Sequence, residues 1–68
     1  MSLVEPLKIS LRAARVNAGM TQEYVARKLG KSKQTIVNWE NGKSALSAED
    51  LFKLSELYRV PLDNIFLP

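Results

Sequence analysis

The stretch that decides the fold is residues 21–43, TQEYVARKLGKSKQTIVNWENGK. Thr21 opens it with a hydroxyl suited to accept a first-turn backbone N–H, so a helix is expected to start there. Val25, Ala26 and Leu29 then fall on one helical face. Gly30 stops that helix after two turns, because a residue without Cβ reaches positive φ at little cost. Ser32 is placed to cap the next helix. Ile36 and Trp39, three apart, share its inner face. Asn41-Gly42 ends it with two residues that tolerate positive φ.

Two short helices crossing through a tight turn that contains Gly form a helix-turn-helix arrangement. Ala26 has to be small where the second helix passes over it. Val25, Leu29, Ile36 and Trp39 have to be apolar to wedge the pair onto a common core. Working outward, Pro6 suits a first helical turn, and Leu7, Leu11 and Ala14 make one stripe that Asn17-Ala18-Gly19 closes. After the motif, Ser47 with Asp50 three residues on, flanked by Leu46 and Leu51, resembles a capping box with a hydrophobic staple. Leu51, Leu54, Leu57 and Tyr58 continue that helix. Pro61 breaks it, and Leu62, Ile65 and Phe66 suit a last short helix or turn. No segment alternates as a strand does. The expectation is one all-α domain over residues 1–68, a compact bundle of five short helices with the motif core at 21–41 and residues 1–5 flexible.

Sixty-eight residues hold one small domain, whose core is marginal. With no cysteine and no histidine, disulfides, thiolate metal sites and the commonest general base are excluded. Metal and cofactor are therefore expected to be absent. No apolar stretch is long enough to span a bilayer and no secretion signal is visible, so a cytoplasmic protein is expected. The net charge of +3 hides an asymmetry. From Lys8 to Lys43 eight basic residues face two acids, Glu23 and Glu40. From Ser44 onward four acids face two basic residues. Cations gathered in one half are the footprint of a polyanion partner.

The chain resembles the lambda-repressor-like (Cro/XRE-type) helix-turn-helix DNA-binding family over roughly Leu7 to Phe66. The resemblance rests on Thr21-Gln22-Glu23, Ala26, Leu29-Gly30, Ser32-Lys33-Gln34-Thr35-Ile36 and Trp39-Glu40-Asn41-Gly42-Lys43. Lys31 departs from the pattern, since that position is often apolar in relatives. In such proteins the second helix of the pair enters the major groove. With Ile36 and Trp39 inward, its outer face presents Lys33, Gln34, Val37 and Asn38, with Ser32 at the tip. Gln and Asn suit adenine, Lys suits guanine, and Val37 suits a thymine methyl. The resemblance places Lys33, Gln34 and Asn38 at base-reading positions. It places phosphate contacts at Thr21, Gln22, Lys31, Thr35, Asn41, Gly42 and Lys43, on the two edges of the reading helix. It also implies an ion pair between Arg15 and Glu40, with Arg15 near enough to assist a phosphate. Trp39, Tyr24 and Tyr58 are expected to be packing residues.

The resemblance further implies a sequence-specific transcriptional regulator, a phage- or plasmid-type repressor that binds a pseudo-palindromic operator in double-stranded DNA as a homodimer. The dimer seam is expected at Leu62, Ile65, Phe66 and Leu67, more apolar surface than one small helix hides. A small-molecule ligand is not expected; a protein antagonist or a toxin partner is a possible further partner. Two rival classes remain open from the residues: an interaction module without DNA binding, and an enzyme. An enzyme would need Ser, Lys or paired carboxylates, and Glu49-Asp50 are neighbours on a helix that do not face each other.

Overall fold

The computed structural model describes residues 8–68. The expectations for Pro6, Leu7 and residues 1–5 lie outside the described residues. The chain runs β1 (Ile9–Ser10), α1 (Leu11–Asn17), α2 (Gln22–Leu29), α3 (Lys33–Glu40), α4 (Ala48–Tyr58), a 3-10 turn (Leu62–Asn64) and β2 (Ile65–Phe66).

Each α-helix starts in the same way. Ser10, Thr21, Ser32 and Ser47 stand in extended conformation, and their hydroxyls accept the N–H of Ala13, Tyr24, Thr35 and Asp50 at 3.0–3.2 Å. Each such cap is worth about 1 kcal/mol. Each helix also ends in the same way. After α2, Gly30 takes φ 69°, Lys31 N–H reaches back to Ala26 O at 2.9 Å, and Gly30 N–H reaches Arg27 O at 3.3 Å. This pair of bonds satisfies two carbonyls that the helix end leaves free. The same pairing closes α1, α3 and α4. At α4 the left-handed residue is Arg59, φ 60°, the one non-glycine residue with positive φ among those described.

Four α-helices are present among the described residues, where five were expected. The first begins at Leu11, capped by Ser10, so the stripe read through Leu7 does not mark its start. The fifth is a single 3-10 turn that runs into β2. Two strands that the pattern did not suggest join the ends of the domain in parallel, Ile9 opposite Ile65 and Ser10 opposite Phe66. A strand of two residues carries no alternation to detect; tertiary contact alone creates it.

The core is Leu11 and Ala14 from α1, Val25 and Ala26 from α2, Ile36 and Trp39 from α3, Leu54 and Tyr58 from α4, and Ile65 from β2. Leu29, Leu46, Leu51 and Leu57 pack partly buried against it. Tyr58 and Trp39 are packing residues, but Tyr24 is not. Its ring is on the surface, with Arg27 Cζ 5.9 Å and Lys28 Nζ 5.5 Å from its centroid. No described helix is long and apolar enough to cross a membrane.

Candidate nucleic-acid interface

α3 is fixed from below by two residues. Ile36 and Trp39 are buried at 1% and 5% exposure, which sets the rotation of the helix about its axis. The opposite side must then face outward. Lys33 and Gln34 are exposed, Val37 and Asn38 are half-buried, and Ser32 is exposed at the helix start. Gln34 Nε2 donates to Asn38 Oδ1 at 3.0 Å, an (i, i+4) pair on one face. The Ser32 and Thr35 hydroxyls are 3.0 Å apart. The outer face is thus a row of amide and hydroxyl groups that already orient one another before any ligand arrives.

Lys33 is not a free cation. Its Nζ lies 3.1 Å from Glu23 Oε2 across the turn, and both side chains are 55% exposed. The Glu23 carboxyl is held below the usual range, first by its own backbone N–H and then by Lys33. Nothing in the sequence had singled out Glu23 as part of this face. The available signal was an acid in the first turn of α2, favourable there for the helix dipole, and that signal does not reveal a partner on α3.

A second network lies beneath. Arg15 Nε donates to Glu40 Oε2 at 2.7 Å, and Nη2 donates to Oε1 at 3.3 Å. Arg15 Nη1 donates to Met20 O at 2.9 Å. The Glu40 hydrogen bond raises the Arg15 pKa further, against the opposing effect of burial. Gln22 Nε2 donates to the same Glu40 Oε1 at 3.0 Å. One carboxylate, 4% exposed, therefore collects donors from α1 and α2 at the end of α3. Gln22 and Arg15 are both engaged in this network.

The remaining candidates divide. Thr21 is exposed and caps α2. Asn41, Gly42 and Lys43 are exposed at the far end of α3, with Lys43 N–H bonded to Asn38 O at 2.8 Å. Lys31 Nζ is 3.8 Å from Asp50 Oδ2 at the start of α4. Asp50 thus faces Lys31 as well as donating its N–H to the Ser47 cap. At the C-terminal end, Leu62, Phe66 and Leu67 are exposed at 42%, 55% and 45%. Ile65 differs from them: at 7% exposure it belongs to the core, because the pairing of β2 with β1 turns it inward.

Two short capped helices locked at a fixed angle, the second offering a polar outer face, define a helix-turn-helix domain. A family described as "Helix-turn-helix" matches residues 11–65, and the chain belongs to this family, of the Cro/C1 type. It is 38% identical over 61 residues to an uncharacterised HTH-type transcriptional regulator of Methanocaldococcus jannaschii, covering 90% of this chain and 92% of that protein. It is 31% identical over 61 residues to an uncharacterised HTH-type transcriptional regulator of Archaeoglobus fulgidus, covering 90% and 87%. An uncharacterised transcriptional regulator in the ATPase CF(0) region of Rhodospirillum rubrum is 34% identical over 56 residues, 82% of this chain and 52% of its own length.

Proposed function

We propose that this chain is a sequence-specific, double-stranded-DNA-binding transcriptional regulator whose α3 reads the major groove. The observation that carries the reading is the orientation of α3: Ile36 and Trp39 are sealed in the core, while Lys33, Gln34 and Asn38 line the outer face. Those side chains carry the donors and acceptors that match guanine and adenine edges. Family membership and relatives that are themselves transcriptional regulators support it.

Lys33, Gln34 and Asn38 read bases, with Ser32 and Val37 at the margins of the contact. Thr21 at the start of α2 holds one phosphate strand, helped by Thr35. Asn41, Gly42 and Lys43 hold the other. Phosphate contacts set register and base contacts set sequence. Gln22 and Arg15 also brace Glu40, which fixes the helix angle, and Lys31, exposed beside Asp50, adds a further phosphate contact. The protein works as a homodimer on a pseudo-palindromic operator in the cytoplasm. Occupying that operator represses transcription, as a phage- or plasmid-type repressor does. No catalysis is part of this reading.

Selection of bound sites from random duplexes tests it. The expected result is an inverted repeat with half-sites about one helical turn, roughly 34 Å, apart. Gln34→Ala should relax preference at one or two base pairs at a cost of about 1–3 kcal/mol. Lys43→Ala should weaken all duplexes alike and lower the salt slope by about one. Recovery of no consensus, together with salt-independent binding, would refute DNA reading and leave a protein-interaction module.

A further inference from the structure

The exposed ion pair between α2 and α3 is a donor and an acceptor side by side on the surface assigned to the major groove. Lys33 supplies an ammonium and Glu23 a carboxylate, 3.1 Å apart. We propose that Glu23 and Lys33 act as one unit that reads a single G·C base pair, Lys33 donating to guanine and Glu23 accepting from the cytosine paired with it. The proposal rests on the DNA-reading function above and deepens it.

The chemistry follows from the groove edge of that base pair. Guanine presents two acceptors, N7 and O6, and cytosine presents the N4 amino donor. Guanine O6 and cytosine N4 are joined by a hydrogen bond, so they lie about 2.9 Å apart. The ammonium and carboxylate of the pair have nearly the same separation. An ammonium has three donors and no acceptor. One donor can stay on Glu23 while the others meet O6 and N7. An ionised carboxylate is acceptor-only, and the Glu23 carboxyl titrates below its usual range, so it stays ionised at neutral pH. The arrangement also discriminates against the alternatives, least against T·A, where thymine O4 and adenine N6 take the places of guanine O6 and cytosine N4 and only the N7 acceptor is lost. An A·T pair in the same place would set the adenine amino group against the ammonium, and reversing G·C would set guanine O6 against the carboxylate.

Lys33 alone would also favour guanine, but a lone lysine is free to swing to a phosphate. Glu23 changes this in two ways. It holds the ammonium away from the backbone, and its own charge is unfavourable next to phosphate. The pair therefore gains on G·C and loses on unspecific duplex. Glu23 is in this sense a specificity-determining residue although it stands on α2, outside the reading helix.

The test is site selection and affinity measurement with the full chain, its Glu23→Gln and Lys33→Met variants, and the double variant. Both side chains are half exposed, so thermal unfolding curves should stay unchanged and serve as the check on folding. The expected result is that both single variants lose preference at the same base pair, by about fivefold or more each. The double variant should lose no more than Lys33→Met alone. Glu23→Gln should also tighten binding to unspecific duplex and steepen its salt dependence by about one phosphate's worth. If Glu23→Gln tightened every duplex equally and left the consensus intact, Glu23 would be a mere repulsive charge and the proposal would fall. A loss of preference at two different base pairs would overturn it as well. Gln34→Ala in the same assay separates the two levels. If it shifts the consensus while Glu23→Gln does not, DNA reading by α3 stands and the paired reading fails. If none of the variants shifts any position, the functional reading itself fails.

Discussion

Glu40 shows how much of this domain depends on one side chain. Its two carboxylate oxygens receive Arg15 Nε, Arg15 Nη2 and Gln22 Nε2, so α1, α2 and α3 meet at a largely shielded point. Removing the carboxylate leaves the partly buried guanidinium of Arg15 with only Met20 O as partner. A buried charge stripped of its partner costs about 3 kcal/mol or more. Glu40→Ala should therefore lower unfolding free energy by about 3 kcal/mol in urea titration, while Glu40→Gln, which keeps one acceptor, should lose less. Tyr58 gives a second prediction at this scale. Burial and then the Glu40 charge push its hydroxyl up to about 12, from an ordinary value of 10.0. The fold therefore favours the neutral phenol. That contribution is complete below pH 10 and is lost as pH rises from 10 toward about 12. Tyr58→Phe removes the titration, so its stability should fall less steeply than that of the parent across that window. Parallel slopes in denaturant titrations at each pH would show that Tyr58 does not contribute. Of these residues, the Arg15–Glu40 pairing could be anticipated only through a family resemblance, because twenty-five positions separate the two. The Glu23–Lys33 contact was not legible at all, since it depends on how two rotamers meet across a turn.

At the scale of elements, what the sequence made legible was local chemistry. Thr21, Ser32 and Ser47 announce helix starts because a hydroxyl next to a helical apolar pattern has one favourable use, and Gly30 announces a stop for the same kind of reason. Ser10 has the same function, yet the leucine stripe running back to Leu7 obscured it. The paired strands were invisible because nothing within Ile9–Ser10 or Ile65–Phe66 requires a strand; each exists by virtue of the other. The end of α4 breaks the glycine rule. Arg59 takes the left-handed turn at φ 60°, where a Cβ crowds the following backbone at a cost of about 1 kcal/mol. Its φ of 60° is close to the 69° of Gly30, and the same two backbone bonds form. Arg59→Gly should stabilise the domain by about 0.5–1 kcal/mol, the strain relieved minus the added freedom of the unfolded chain. Arg59→Ala, still burdened with Cβ, should gain nothing. Thermal melts of the two variants side by side decide between strain relief and a lost side-chain contact.

The whole molecule raises a problem of scale. α3 has eight residues and is about 12 Å long, so one copy covers only a few base pairs. Such a contact is too weak in sequence information to find one site among many. Two copies joined by a seam solve this, provided that the seam is not the core itself. Ile65 cannot serve, because the monomer already buries it; Leu62, Phe66 and Leu67 remain outside with nearly half or more of their surface in water. Phe66 is the largest and most exposed of the three, and its strand pairing with Ser10 uses backbone groups rather than the ring. A charge placed there should thus spare the fold and break the seam. Phe66→Glu is expected to melt like the parent, to bind an isolated half-site with unchanged affinity, and to lose at least about tenfold on the full inverted repeat, since the linked second binding event disappears. Sedimentation of the protein–DNA complex should show one copy bound where the parent shows two. Leu62→Lys provides the same test from the other side of the patch, should a glutamate at 66 disturb β2. If both variants bind the full repeat as tightly as the parent, the apolar end has no part in pairing the subunits, and the second copy must be recruited through the DNA alone.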